Sequence, residues 1–377
     1  MIDGTDPATV RAALDSADPL PGTRGFAGRL DDPDADATAP RSPLVRDVLG
    51  RYPCFSDADD PTTWSADPTG LTDPEPVPPG HVRTVDGDEH VWTLPEPPAT
   101  DDDAAAVDRV RQAVDVSTAA VAEDGLAVAF SGGVDSAILA ARLDAPLYVA
   151  GFPDSHDVAA ARSAAAAMDR DLTVVELTHE DLERAVPDLV RATGRTNVMD
   201  VQISLGLYLV AERVAADGYD RVAVGQGADE LFGGYAKVAG ASDDTRLTAE
   251  TVRGARRETV TTLPDQLERD VLALRAAGVE PVAPLLHDRV VAAALPLSGR
   301  LLVAEPGPNE ERSDCERKVA LRRAAAPWLP ENVLRREKKA VQYGSLIARE
   351  LDRLARQAGY KRRMGEHVRK YVQSLVA

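Results

Sequence analysis

Short apolar runs alternate with longer segments of helical periodicity in the middle of the chain. The apolar runs are LAVAF at 126–130, LYVAGF at 147–152, LTVVEL at 172–177 and RVAVG at 221–225. Helical spacing of apolar positions predicts helices over residues 104–123, 157–169, 179–193 and 201–217. Because strands that alternate with helices form a parallel sheet covered on both faces, this pattern predicts an α/β fold with a doubly wound parallel sheet.

The first apolar run continues into a glycine-rich turn, LAVAFSGGVDS, and a helix is expected to begin at about Ser136. A strand, turn and helix in this order direct main-chain N–H groups and the positive end of a helix toward one point, where phosphate usually binds. Gly132 and Gly133 allow close approach of the backbone to a ligand, and the hydroxyls of Ser131 and Ser136 add donors. The stretch therefore predicts a phosphate-binding loop; a tight turn without a ligand is the alternative.

A second glycine-rich phrase, VGQGADELFGGY at 224–235, follows the fourth predicted strand. It carries Asp229, as the first phrase carries Asp135. Ligands of parallel sheets bind at the carboxyl ends of the strands, and Mg²⁺ prefers one or two carboxylates together with phosphate oxygens. The two aspartates therefore predict a Mg²⁺ site on nucleotide phosphates; a plain helix N-cap is the alternative for Asp229.

Composition narrows the class of protein further. The 377 residues are 44% hydrophobic, as in a folded protein, and no apolar run reaches the ~18 residues of a membrane span. Cys54 and Cys315 form neither a disulfide framework nor a metal cluster, and the first residues are unlike a signal peptide, so we expect a cytoplasmic protein without membrane contact. A net charge of −19 argues against nonspecific nucleic-acid binding. It also resembles the acidity of proteins from salt-accumulating archaea, the interpretation that we favour.

SGGVDS and GQGADELFGGY, in this order, resemble the synthetase domain of glutamine-dependent asparagine synthetases. The resemblance extends to NVMDVQISLGLYLVA, LERDVLALRAAGVEPVAPLLHDRVV and KVALRRAAAPWLPENVLRREKKA, and it is closest to the branch of asparagine synthetase domain-containing proteins. It implies the fold of the N-type ATP pyrophosphatases (PP-loop, or adenine-nucleotide alpha-hydrolase, proteins). It also implies an ATP-dependent amide-forming ligase that activates a carboxylate as an acyl-adenylate, releases pyrophosphate and then admits ammonia.

The same resemblance implies roles for particular residues. Adenine would be held against the backbone at Phe130, Ala150, Val224 and Gly225. Lys338 matches a lysine that the family places on the pyrophosphate; a solvated basic run is the alternative for it. Gln226 stands where the family has a catalytic glutamate, and a glutamine forms hydrogen bonds but takes no proton.

Two further departures concern the acceptor substrate. Val282 and His287 occupy positions where the family has an arginine and an aspartate. Because aspartate carries two charged groups besides the reacting carboxylate, we expect it to be a poor acceptor. A non-catalytic ATP-binding paralogue that acts through a partner, and a PP-loop enzyme that modifies RNA, are the alternative functions.

Residues 1–100 are rich in Pro, Asp and Gly, and DDDAAA at 101–106 marks the expected boundary with a synthetase domain over 104–377. LVRDVLGRYPC and PVPPGHVRTVDGDEHVWTL resemble pieces of the family's glutaminase domain. That domain uses a cysteine directly after the initiator Met, whereas this chain has Ile2 there and carries Cys54 inside a structural phrase. We therefore expect a shrunken, β-rich glutaminase-like domain of a few hairpins without a nucleophile; a partly disordered extension is the alternative. Nitrogen would come from free ammonia or a separate glutaminase.

The last thirty residues read as one amphipathic helix, with Met364, Val368, Val372 and Leu375 along one face. The sequence does not predict the oligomeric state.

Overall fold

A computed structural model describes residues 1–31, 42–241, 247–305, 315–336 and 345–376. The chain divides into two compact units, which we call unit 1 and unit 2. Unit 1 consists of Met1–Ala120, Gly225–Glu268 and Ala283–Pro327, and unit 2 consists of Val121–Val224, Arg269–Val282 and Trp328–Ala377. The boundary expected between residues 100 and 104 stays a prediction.

Unit 2 contains a parallel sheet of five strands. The strands are β9 (Leu126–Ala129), β10 (Leu147–Gly151), β11 (Leu172–Glu176), β12 (Arg221–Ala223) and β13 (Glu280–Val282). Their order is β11-β10-β9-β12-β13, and every pairing is parallel. The chain runs outward from β9 to β11 and then returns to the other side of β9, which is the strand order of a doubly wound sheet with its switch point beside β9. The predicted α/β class and parallel sheet are confirmed.

The fifth strand, β13, is absent from the sequence-based prediction. Its three residues include Pro281, and its neighbour β12 pairs with it along Arg221–Ala223. A proline removes one donor from the ladder and is tolerated at an edge strand, where β13 lies. A run this short with a proline carries too little strand signal to be recognised.

The first four helices of unit 2 follow the predicted pattern closely: α3 (Val134–Arg142), α4 (His156–Ala167), α5 (His179–Thr193) and α6 (Val198–Ala216). Three further helices are α14 (Glu331–Leu334), α15 (Ile347–Gln357) and α16 (His367–Val376). Helix α3 begins two residues before Ser136, the predicted start. Helix α10 (Leu263–Ala276) begins in unit 1 and ends in unit 2.

The single C-terminal helix predicted from the sequence is wrong, because α15 and α16 are separate helices. Gly359 and Gly365 lie between them with φ angles of +92° and +63°. Such left-handed backbone angles end a helix, and glycine adopts them without steric cost. Val368 and Val372 of α16 are buried, as the apolar face predicts.

Two small antiparallel sheets lie in the first hundred residues, in unit 1. Their strands are β1 (Ile2–Asp3), β2 (Ala27–Arg29), β3 (Leu44–Arg46), β4 (Phe55–Asp57), β5 (Trp64–Ser65), β6 (Pro74–Pro76), β7 (His81–Thr84) and β8 (Gly87–His90). One sheet has the order β1-β2-β3-β7-β8 and the other the order β5-β4-β6. The region is therefore β-rich and contains a hairpin, β7–β8; its likeness to a glutaminase domain stays a prediction.

The sequence-based prediction lacks helix α1 (Pro7–Ser16), which packs on these strands. Asp6 caps it by accepting from the N–H of Thr9, and Pro7 occupies its first turn, which is a recognisable helix start. Val10 and Ala13 of α1 join Phe26 and Trp92 in one apolar core, where the two rings meet edge to face at 5.3 Å.

The other helices of unit 1 are α2 (Asp103–Ala119), α7 (Ala228–Phe232), α8 (Ala236–Ala239), α9 (Val252–Val260), α11 (Asp288–Ala294), α12 (Gly299–Leu302) and α13 (Val319–Ala325). Arg51 connects the N-terminal strands to α11 through a buried ion pair of 2.6 Å with Asp288, and it also pairs with Asp47 at 2.8 Å. In the part of the chain that the structure describes, no helix is long and apolar enough to cross a membrane.

Candidate active site

The predicted phosphate loop of unit 2 is closed by hydrogen bonds of its own. The Ser136 hydroxyl accepts from the main-chain N–H of Ser131 at 3.2 Å and donates to the Gly133 carbonyl at 3.1 Å. Ser136 is buried, whereas Ser131 is half-buried. The hydroxyl of Ser136 therefore fixes the shape of the loop, and the backbone of the loop is left to contact a ligand.

Gly132 is required by the backbone at this turn. Its φ angle is +73°, and a Cβ atom there would lie 2.9 Å from the carbonyl oxygen of Ala160 in α4. Both the left-handed backbone and the close approach to α4 exclude a side chain. The glycine thus lets the loop pass against α4.

The N-terminus of α3 differs from those of the next three helices. Ser155, Thr178 and Asn197 cap α4, α5 and α6 with their side chains, whereas Gly133 precedes α3 without a capping side chain. The first N–H groups of α3 are therefore not taken by a cap and suit an anion. Asp135 lies in this first turn and adds a carboxylate beside the same groups.

Three strand ends meet around this loop. Phe130 follows β9, Ala150 lies in β10 and Val224 follows β12, and these strands are neighbours in the sheet. Phe130 donates to the carbonyl of Tyr148 at 2.7 Å, and Val224 donates to that of Val282 at 2.9 Å. The structure thus brings the predicted residues of unit 2 to the carboxyl ends of the parallel strands. These residues are Phe130, Ser131, Gly132, Gly133, Asp135, Ser136, Ala150 and Val224.

From Gly225 onward the second glycine-rich phrase belongs to unit 1, where it contributes to a cluster of charged side chains. Gly225 and Gln226 lead into α7, whose first turn carries Asp229. The ammonium of Lys318 lies 2.8 Å from Asp229 Oδ1, and the Lys318 side chain is buried. Lys318 has a φ angle of +59° at the start of α13, which is uncommon for a residue other than glycine and is typical of functional sites.

Glu230 is the buried acid of this cluster. The hydroxyl of Tyr235 donates to its carboxylate at 2.5 Å. Burial and the neighbouring carboxylate of Asp229 raise the pKa of Glu230 to about 7, far above that of an ordinary glutamate. A buried carboxyl that titrates near neutral pH is typical of a functional site.

Gly234 packs directly against the same ion pair. A Cβ atom at this position would lie 1.9 Å from Asp229 Oδ1 and 2.3 Å from Lys318 Cε. The carbonyl of Gly234 also accepts from Arg317 at 2.9 Å. Gly234 therefore makes room for the side chain of Lys318, which comes from a distant part of the chain.

The family model for asparagine synthase matches residues 107–259 and 244–374. The chain belongs to the asparagine synthase family.

Individual relatives agree with this assignment. A putative glutamine-hydrolysing asparagine synthetase of Methanocaldococcus jannaschii is 29% identical over 274 residues, which is 64% of this chain and 50% of that protein. Asparagine synthetase B of Escherichia coli is 25% identical over 65% of this chain and 46% of its own length. A probable asparagine synthetase of Dictyostelium discoideum is 24% identical over 72% of this chain and 54% of its own length. The chain spans about half the length of these curated relatives.

The asparagine synthase motifs did not reveal the role of every residue in the charge cluster. Lys318, which opens the phrase KVALRR, was part of the recognised resemblance, yet its pairing with Asp229 depends on the fold. Glu230 and Tyr235 belong to GQGADELFGGY, but the sequence alone predicts no role for either residue. Lys338, the predicted pyrophosphate lysine, lies outside the described residues.

The two residues that depart from the asparagine synthase pattern in the predicted acceptor region, Val282 and His287, carry no charge in this chain at pH 7. Val282 is a buried residue of β13. His287 is buried ahead of α11 and accepts from the N–H of Arg289 at 3.2 Å. Burial and nearby arginines lower the pKa of His287 to about 4, so its imidazole is neutral at pH 7.

Cys54 lies among the β-rich first hundred residues, in the phrase that resembles a glutaminase piece. Its side chain is fully buried, and burial raises the pKa of the thiol to about 12. Because the thiolate is the nucleophilic form, burial disfavours this cysteine as a nucleophile at neutral pH.

Proposed function

We propose that this member of the asparagine synthase family is an ATP-dependent amide-forming ligase that uses ammonia directly. The observation that carries the proposal is the loop Ser131–Ser136, which ends the central strand β9 and leaves the N-terminus of α3 without a side-chain cap. The relatives named above are asparagine synthetases, which supports the same reaction class.

ATP is the nucleotide that fits the residues present. Main-chain N–H groups of the loop and of α3 suit its phosphates, and the backbone at Phe130, Ala150, Val224 and Gly225 is proposed to hold adenine. Asp135 and Asp229 are proposed to hold Mg²⁺, which supplies charge neutralisation of the phosphates. Among the described residues no group of three or more His, Cys, Asp or Glu side chains is arranged around a metal position. Two carboxylates with phosphate oxygens form a sufficient donor set.

The proposed reaction has two steps. A substrate carboxylate attacks the α-phosphorus of ATP, and pyrophosphate leaves, with Lys338 stabilising its charge. Ammonia then attacks the activated carbonyl carbon, AMP leaves, and the nitrogen gives up a proton to form the neutral amide. Gln226 is proposed to donate a hydrogen bond to the acyl-adenylate, while Glu230, with its pKa of about 7, is the group of this segment able to hold a proton.

The acceptor is proposed to differ from aspartate. The α-ammonium and α-carboxylate of aspartate need charges of opposite sign, because an unpaired buried charge costs several kcal/mol. Val282 is apolar and His287 is neutral at pH 7, so these positions supply neither charge. A separate glutaminase as a source of ammonia and a cytoplasmic location are both part of the proposal.

The experiment is to incubate the purified protein with ATP, Mg²⁺ and ammonium and to measure pyrophosphate release across small and peptide-linked carboxylates. Release with one of these acids, and an amide product identified by mass, is the expected result. Release with aspartate at a kcat/KM of ~10⁴ M⁻¹s⁻¹ or more would show that aspartate is the acceptor and that the chain is an ordinary asparagine synthetase. Inertness with every acid would support a non-catalytic paralogue, and co-purified RNA would support RNA modification.

The nitrogen source is tested with the same assay by replacing ammonium with glutamine. We expect no glutamine hydrolysis, since the thiol of Cys54 stays protonated. Hydrolysis that disappears in Cys54→Ala would contradict the ammonia proposal.

A further inference from the structure

Three arginines of helix α9 line one side of a small cleft in unit 1. Arg253, Arg256 and Arg257 are spaced so that they share one face of the helix. Residues 94–96 also line the cleft, which has a volume of about 180 Å³. We call it the α9 arginine cleft.

The hydrogen bonds of these arginines go to neutral groups. Arg253 donates to the carbonyl of Pro97 at 2.8 Å, Arg256 to that of Leu295 at 2.9 Å, and Arg257 to that of Pro95 at 3.3 Å. The Nε atoms of Arg253 and Arg256 are buried and have no hydrogen-bond partner within the part of the chain that the structure describes. Since buried donors nearly always have partners, these two N–H groups indicate a further acceptor in the cleft.

The positive charge of the cleft is also poorly balanced. Among the described residues, the carboxylate paired with these arginines is that of Glu96, which lies 3.4 Å from Arg257 and is largely exposed. Arg256 is 4% exposed. Burial and the two neighbouring arginines lower the pKa of Arg256 to about 10, so its positive charge is unfavourable where it lies. This is unexpected in a chain with a net charge of −19 and indicates a missing anion.

We propose that the α9 arginine cleft binds a small multivalent oxyanion of the phosphate class. Guanidinium groups offer planar pairs of donors that match phosphate oxygens, and a negative charge offsets the cost of burying the arginines. A cleft of about 180 Å³ is smaller than the ~300–1,000 Å³ that drug-sized ligands require. The ligand is therefore inorganic phosphate or the phosphate group of a larger molecule.

The test is isothermal titration of the full chain with inorganic phosphate at constant ionic strength. Wild type is expected to show saturable phosphate binding, and Arg253→Gln and Arg256→Lys are each expected to weaken it at least tenfold. Arg191→Gln is the matched control, because Arg191 is an exposed arginine paired only with Asp188 in the described structure. Circular dichroism verifies that each variant is folded; Arg256→Lys keeps the charge and removes only the planar donor pair.

Two further arms exclude other sources of binding. Gly132→Ala disturbs the candidate nucleotide loop and is expected to leave this phosphate site unchanged. AMP replaces phosphate in the last arm, which uses Gly132→Ala so that the nucleotide loop does not contribute: binding as tight as that of phosphate assigns the cleft to phosphate groups of larger molecules, and weaker binding assigns it to free phosphate. The proposal is overturned if wild type shows no saturable phosphate binding, or if Arg253→Gln and Arg256→Lys bind phosphate as wild type does.

Discussion

The loop Ser131–Ser136 and the segment Gly225–Tyr235 are both rich in glycine, yet they are stabilised in different ways. Neutral groups shape the first: a serine hydroxyl bridges two main-chain groups, and Gly132 lies against the backbone of α4. Charges shape the second, where the ammonium of Lys318 meets Asp229 beside the buried Glu230. One region therefore offers backbone geometry, and the other offers charge and a titratable proton.

This difference explains what the sequence could predict about each region. The glycines and the serine hydroxyl that shape the first loop lie within a few residues of one another, so a short phrase is enough to recognise it. The second region depends on Lys318, which is distant along the chain and meets Asp229 only in the folded protein. Local patterns predict a backbone turn well and predict long-range ion pairs poorly.

The largest effect is expected from Gly132→Ala, which tests whether backbone geometry holds the first loop. An alanine there has both an unfavourable φ angle and a Cβ atom 2.9 Å from the Ala160 oxygen. We expect the free energy of unfolding to fall by roughly 3–5 kcal/mol, measured by urea denaturation.

Gly194→Ala is the matched control for that variant. Gly194 ends α5 with a similar φ angle of +67°, and no atom lies within 4 Å of the position of a Cβ. Its loss of about 1 kcal/mol measures the backbone angle alone. Equal losses in the two variants would show that contact with α4 does not constrain the loop.

A smaller effect, which depends on pH, is expected from Glu230→Gln. A carboxyl whose pKa is raised in the folded state destabilises the protein when it ionises, so stability falls as the pH rises from about 4.5 to about 7 and is constant above. The glutamine cannot ionise and still accepts a hydrogen bond from Tyr235. Relative to wild type it should gain up to roughly 3 kcal/mol between pH 4.5 and pH 8 in urea denaturation. A stability difference that does not change with pH would contradict a raised pKa.

The smallest effect on stability is expected from Lys318→Met. Asp229 is about half-exposed, so we expect the lost ion pair to cost about 1 kcal/mol or less, and less still at high salt. The clearer consequence is electrostatic: without the ammonium, the pKa of Glu230 should rise further, as an NMR titration of its carboxyl carbon would show. Lys237→Met is the control, since Lys237 lies over the ring of Tyr235 at 5.5 Å. If both variants leave the pKa of Glu230 unchanged, Lys318 is not part of the cluster.

The fold shows the same limit of sequence reasoning. The strands β9 to β12 and the helices between them follow from apolar runs and helical spacing in the sequence. The strand β13 has three residues and a proline, and it exists because it pairs with β12. The break between α15 and α16 was marked by Gly359 and Gly365, but the apolar spacing across it favoured one helix. Helix α1 carried its own start signal at Asp6 and Pro7, within a region whose composition obscured it.

The measurement that tests the central claim most directly is the affinity for ATP with and without Mg²⁺ in wild type, Asp135→Asn and Asp229→Asn. The claim is that both glycine-rich regions act on one Mg·ATP, the first mainly through its backbone and the second through its charges. Each substitution should weaken binding of Mg·ATP at least tenfold, about 1.4 kcal/mol, and should change binding of metal-free ATP much less. Equal affinity of all three proteins for Mg·ATP would contradict the claim.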